Sequence, residues 1–97
     1  YKQGCENSER YARLFADLFP DEMRAGRSSN VHEALPRPHW TSRARHCLYR
    51  HQMPAILCEV GFATHAIDRA FIISERGVNV ISQYLARATI AAAQLKE

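Results

Sequence analysis

The chain has 97 residues and a mass of 11.1 kDa, with 46% hydrophobic residues, 24% charged residues and a formal net charge of +3. This length allows one small domain, or part of a larger one, and excludes two. The charged fraction is too low for an intrinsically disordered chain. No apolar run approaches the about 20 residues that span a bilayer, so we expect no membrane span. No secretory signal is visible in residues 1–97, and this places the protein in no particular compartment.

The positive charge is concentrated between residues 24 and 50, where six arginines accompany one glutamate. Three interpretations are open: a solvated basic surface, a site for an acidic polymer other than nucleic acid, and a nucleic-acid site. The stretch has no glycine-rich or aromatic-interleaved pattern. We therefore expect no nucleic-acid partner.

The three cysteines, Cys5, Cys47 and Cys58, are widely spaced and odd in number, and none belongs to a Cys-x-x-Cys pair. A disulfide framework is therefore not expected. The pattern favours structural thiols in a reducing compartment.

A first amphipathic helix is predicted after a cap at Asn7 or Ser8 and before Pro20. Pro20 ends it because proline lacks the amide hydrogen and disfavours helical geometry in the preceding residue. The apolar positions follow the spacing i, i+3, i+4, i+7 and i+8 of a helix packed on a core. They are Tyr11, Leu14, Phe15, Leu18 and Phe19.

The most informative segment is PAILCEVGF, residues 54–62. A continuous apolar run that follows a proline and ends near a glycine predicts a central strand buried on both faces, as in parallel sheets covered by helices. The neighbouring patterns complete an α/β fold, a mostly parallel twisted sheet flanked by helices. They are a short strand at 31–35, a brief helix from Thr41 or Ser42 through Tyr49, a helix at 66–73 capped from Thr64, and a final helix from Val78 to Leu95.

Glu59 interrupts this apolar run near its carboxyl end. Burying an unpaired carboxylate costs several kcal/mol, since an unpaired polar group alone costs about 2–7 kcal/mol. Alternatively, burial raises the pKa of the carboxylate until the group is neutral. Ligands bind beyond the carboxyl ends of strands in open α/β sheets, so Glu59 is a candidate general acid or base. The structural alternative is an ion pair with Arg50 or Arg69.

The 54–62 segment resembles the signature strand of zinc-dependent N-acetylmuramoyl-L-alanine amidases, the peptidoglycan hydrolases of bacteria and phages. That family continues with a small residue, a serine or threonine, an asparagine and an acidic helix, and this chain continues with Ala63-Thr64-His65 and Asp68. Residues 8–12, SERYA, resemble the serine and helix start that follow the family's third zinc ligand. Arg50 lies close to an arginine that the family places before its proline. His65 departs from the family's asparagine.

The resemblance implies an autolysin or endolysin that cleaves the amide between N-acetylmuramic acid and L-alanine at the bacterial cell wall, whether periplasmic, extracellular or phage-encoded. It implies zinc as cofactor, peptidoglycan as partner, and Glu59 as the base that takes a proton from zinc-bound water and returns it to the departing amine. The family's His, Glu and His ligands lie before the position of Tyr1. Residues 1–97 are therefore expected to be the carboxyl-terminal half of one amidase domain, with no metal ligand in this chain and no activity in isolation.

Because stem peptides carry carboxylates, Arg43, Arg45 and Arg50 are expected substrate contacts. Two alternatives stay open: a catalytically inactive peptidoglycan-binding or regulatory fragment, and an unrelated basic α/β module that binds an anionic polymer. A metal site within the chain is not expected. Its histidines recur every seven residues, at His32, His39 and His46, but Pro36 and Pro38 prevent the helix that would align them.

Overall fold

A computed structural model describes residues 1–24, 31, 48–49 and 52–95. Helix α1 spans Glu6–Asp17 and is followed by a 3-10 turn at Asp21–Met23. Helix α2 spans Ala66–Ile72 and helix α3 spans Glu75–Ala93. Leu48 and Tyr49 are also helical, as predicted, and the rest of their predicted helix lies outside the described residues.

The predicted α/β fold is wrong for the described part of the chain, which is helical and has no strand or sheet. The 54–62 segment is non-helical but belongs to no ladder there, and a strand requires a partner for its backbone N–H and C=O groups. Its expected burial on both faces is also absent, since Leu57 is 48% exposed and Phe62 is 54% exposed. Apart from Val31, the strand predicted at 31–35 lies outside the described residues.

Helix α1 confirms the predicted amphipathic helix, which ends before Pro20. The predicted caps are wrong by two or three residues. The cap position is Cys5, whose side chain makes no capping hydrogen bond, while Asn7 and Ser8 lie inside the helix.

The core lies where α1 packs against α3. Tyr84 is buried, and its ring meets Phe15 and Phe19 edge to face at centroid distances of 6.1 and 5.3 Å. The Tyr84 hydroxyl donates to the Phe15 carbonyl oxygen at 2.7 Å, so the one polar atom of this ring is satisfied. Ala88, one turn further along α3, is fully buried.

The final helix is confirmed, although α3 begins at Glu75, three residues before the predicted start. Ser74 caps it: its Oγ accepts a hydrogen bond from the Gly77 amide at 2.9 Å and donates to the Phe71 carbonyl oxygen at 2.6 Å. One serine therefore ends α2 and begins α3, which holds the two helices together at a short connection.

We expect Ser8→Ala to lower the free energy of unfolding by about 1–3 kcal/mol, the cost of leaving a buried backbone donor without an acceptor. Ser8 is fully buried, and its Oγ accepts the Ala55 amide hydrogen at 2.8 Å. Urea unfolding measures the change. Ser82→Ala, at an exposed position of α3, is the matched control and should change stability little. Equal stability of the two variants would contradict the role given to Ser8.

Candidate functional site

Glu59 lies on the open side of the 54–62 segment. Exposure alternates along this stretch: Ile56, Cys58 and Val60 are partly buried, whereas Leu57 and Glu59 are exposed. The expectation that Glu59 is buried among apolar side chains is therefore wrong. The alternation places the carboxylate on the side opposite the packed residues, where it faces solvent.

The ion pair considered for Glu59 is not formed with Arg69. The Arg69 guanidinium instead donates to the Ala63 carbonyl oxygen at 3.2 Å, and no described cation pairs with Glu59. Arg50, the other candidate partner, lies outside the described residues, as do the predicted substrate contacts Arg43 and Arg45.

Two anchors hold the segment that carries Glu59. Four residues before it, Ala55 donates its amide hydrogen to Ser8 Oγ at 2.8 Å and accepts the Lys2 amide hydrogen at 3.0 Å. Three residues after it, the Phe62 amide donates to Asp68 Oδ2 at 2.9 Å. The carboxylate of Glu59 is thus presented from a stretch of backbone that α1 fastens at one end and α2 at the other.

The turn between the segment and α2 is closed by His65. Its amide donates to the Phe62 carbonyl oxygen at 3.1 Å, and its Nδ1 accepts the Asp68 amide hydrogen at 3.3 Å. The predicted helix at 66–73 is confirmed, but its cap is His65 and the predicted cap Thr64 is wrong. At the position of the family's asparagine, the imidazole supplies the acceptor that a helix N-cap requires.

Cys58 lies opposite Glu59 and contacts α3, with its Sγ 3.7 Å from the Tyr84 hydroxyl oxygen. Burial raises the pKa of the Cys58 thiol, and burial likewise raises the pKa of Tyr84. A thiol held in its neutral form is a poor nucleophile. Cys58 therefore packs the segment against the core, as the alternation predicts.

We expect alkaline pH to destabilise the fold partly through Cys58. A folded pKa above the ordinary value of 9.0 means that the native state keeps a proton that the unfolded state releases. The resulting stability is complete below about pH 9 and is lost as the pH rises toward the folded pKa. Urea unfolding at about pH 8 and pH 10.5 should show a smaller loss in Cys58→Ser than in the wild type. Equal losses would contradict this assignment.

Sequence reasoning identified Glu59 but missed its two supports, Ser8 and Asp68. Both are buried polar side chains, with relative exposures of 0% and 5%, and each accepts a backbone amide of the 54–62 segment. From local patterns, Ser8 was predicted only as a helix cap and Asp68 only as a carboxylate at the start of a helix. Their partners lie 47 and 6 residues away, and nothing in the local sequence encodes the longer of these separations.

Within the described ranges, no three His, Cys, Asp or Glu side chains form a group able to hold a metal ion. In the same ranges, no helix is long and apolar enough to cross a bilayer.

Searches of protein-family models, of curated proteins and of solved structures each gave no match for this chain. A functional proposal for this chain therefore depends on its own residues and geometry.

Proposed function

We propose that this chain is the part of a peptidoglycan amidase that carries the general base, Glu59, and that the enzyme hydrolyses the amide between N-acetylmuramic acid and L-alanine. The observation that carries the proposal is the position of Glu59, an exposed carboxylate within the amidase-like PAILCEVGF segment, on backbone anchored at both ends. An open carboxylate suits a substrate that is a large wall polymer.

In the proposed reaction, the Glu59 carboxylate accepts a proton from water while the water oxygen bonds to the lactyl carbonyl carbon. The protonated Glu59 then delivers that proton to the amide nitrogen as the C–N bond breaks, which releases the amino group of L-alanine and leaves the lactyl carboxylate. Positioned acid–base groups of this kind contribute about 10²–10⁴-fold in rate.

The described residues form no group able to hold the zinc that the resemblance implies. Zinc stays part of the proposal only through the resemblance, which places its ligands before the position of Tyr1.

The proposal includes peptidoglycan as partner, the bacterial cell wall as place of action, and Arg43, Arg45 and Arg50 as contacts for the carboxylates of stem peptides. The support for these contacts is charge alone: residues 24–50 carry six arginines and one glutamate. Guanidinium groups bind carboxylates in a planar, two-pronged geometry.

The test is digestion of purified peptidoglycan by the full-length product of the reading frame that encodes residues 1–97, with products identified by mass spectrometry. The proposal predicts intact stem peptides with free L-alanine amino groups and glycan strands with free lactyl carboxylates. Binding to peptidoglycan without any cleavage would contradict the amidase and favour a binding fragment. Cleavage within the peptide or the glycan would contradict the assigned bond.

A further inference from the structure

We propose that Asp68 is a positioning residue for this reaction, which fixes the turn after the 54–62 segment and thereby the direction of the Glu59 carboxylate. This inference rests on the proposed function, since it assigns a role to Asp68 in the activity of Glu59. It makes Asp68 a support of the catalytic group and not a group that touches the substrate.

The Asp68 carboxylate is buried and hydrogen-bonded to the segment that carries Glu59. Its side chain is 3% exposed, and Oδ2 accepts the Phe62 amide hydrogen at 2.9 Å. A hydrogen bond to an ionised acceptor is about twice as strong as a neutral one. The carboxylate therefore ties the first turn of α2 to the backbone three residues after Glu59.

Asp68 is hydrogen-bonded both to the cap residue His65 and to the segment that precedes the cap. Helix N-termini often use a box in which the cap side chain binds the amide of the third helical residue, whose side chain reaches back to the cap. Here His65 Nδ1 accepts the Asp68 amide hydrogen at 3.3 Å, but the Asp68 side chain reaches past the cap to Phe62. This longer reach joins the helix to the segment that bears Glu59.

The chain passes close to Asp68 and α2 at Gly61, two residues after Glu59. A Cβ built on Gly61 would stand 3.3 Å from Asp68 Cγ and 3.0 Å from the Cδ1 atom of Ile72. A side chain at this position would therefore press against the carboxylate and against α2, so glycine lets the segment pass close to both. A shift of Asp68 is expected to move Gly61 and, with it, the adjoining residues.

The experiment compares Asp68→Ala, Asp68→Asn and Ala88→Gly in the full-length protein, with kinetics on peptidoglycan fragments and NMR of the Glu59 and Phe62 resonances. Misplacing a catalytic group by about 1 Å lowers a rate by about 10²-fold. We therefore expect Asp68→Ala to lower kcat about 10- to 100-fold with little change in KM. Asp68→Asn should recover most of kcat because its amide oxygen accepts the same hydrogen bond.

Ala88→Gly controls for stability, because it removes a fully buried methyl group and lowers helix propensity inside α3, away from the turn and from Cys58. It should lower the unfolding midpoint and leave kcat and the Glu59 resonances unchanged. Asp68→Ala should shift the Glu59 resonances and abolish protection of the Phe62 amide from hydrogen exchange.

A wild-type kcat in folded Asp68→Ala would overturn the positioning role, as would losses that follow only the folded fraction in all variants. If the wild type cleaves nothing, the proposed function has failed, and the NMR comparison still decides the structural claim. In that case, unchanged Glu59 resonances in Asp68→Ala would overturn it, and shifted ones would support it.

Discussion

Glu59→Gln is expected to lower the rate of muramoyl-L-alanine cleavage by about 10²–10⁴-fold, the usual contribution of a positioned acid–base group. Glutamine has nearly the same size and shape but accepts no proton from water and returns none to the leaving amine. Because Glu59 is exposed, the substitution removes no buried contact and should leave the fold intact. Initial rates of amino-group release from peptidoglycan, at equal protein concentration, measure the effect.

The matched control is Glu75→Gln, which makes the same chemical change at an exposed position in the first turn of α3. It loses a favourable interaction with the helix dipole, about 0.3–1 kcal/mol, and should retain the wild-type rate. Equal rates for wild type and Glu59→Gln, with cleavage of the assigned bond, would show that Glu59 is not the base.

Gly77→Ala is expected to destabilise the fold by about 3 kcal/mol or more, at the upper end of overpacking in a close-packed core. Gly77 is buried in the first turn of α3, and a Cβ there would overlap the Phe71 carbonyl oxygen and stand 2.6 Å from the carbonyl carbon. The obstacle is backbone at the end of α2, so no side-chain rotation relieves it. Thermal and urea unfolding measure the loss.

Gly4→Ala is the contrasting variant. Gly4 has a φ of 75°, but a Cβ there would meet nothing within 4 Å. Alanine in the left-handed region costs about 1–2 kcal/mol. If Gly77→Ala were less destabilising than Gly4→Ala, the close contact between α2 and α3 would be wrong.

Helices were predictable here because each carries its own signal. The spacing of Tyr11, Leu14 and Phe15 repeats the period of a helix, and α1 and α3 form where such spacing occurs. Their ends were less accurate, since Cys5 takes a cap position without a capping side chain and Ser74 begins α3 earlier than the apolar pattern does.

The prediction of a sheet was wrong for the described part of the chain because an apolar run does not reveal whether one face or two will be covered. Within the 54–62 segment, side chains alternate between partly buried and exposed only from residue 56 to residue 60, and Leu57 and Phe62 are exposed. Glu59 was predicted to be functional because it is a carboxylate within an apolar run. Its side chain is exposed in the structure, although burial was expected. Ser8 and Asp68 hold the backbone on either side of Glu59 through hydrogen bonds to Ala55 and Phe62. The periodicity of the sequence does not reveal such contacts.

The most direct test of the central claim is to label the amino groups that appear when wild-type protein and Glu59→Gln act on the same peptidoglycan. We expect the wild type to produce new L-alanine amino groups and Glu59→Gln to produce at least about 10²-fold fewer. Both proteins should have a normal fold. New amino groups on any other residue, or undiminished L-alanine release by Glu59→Gln, would contradict the central claim.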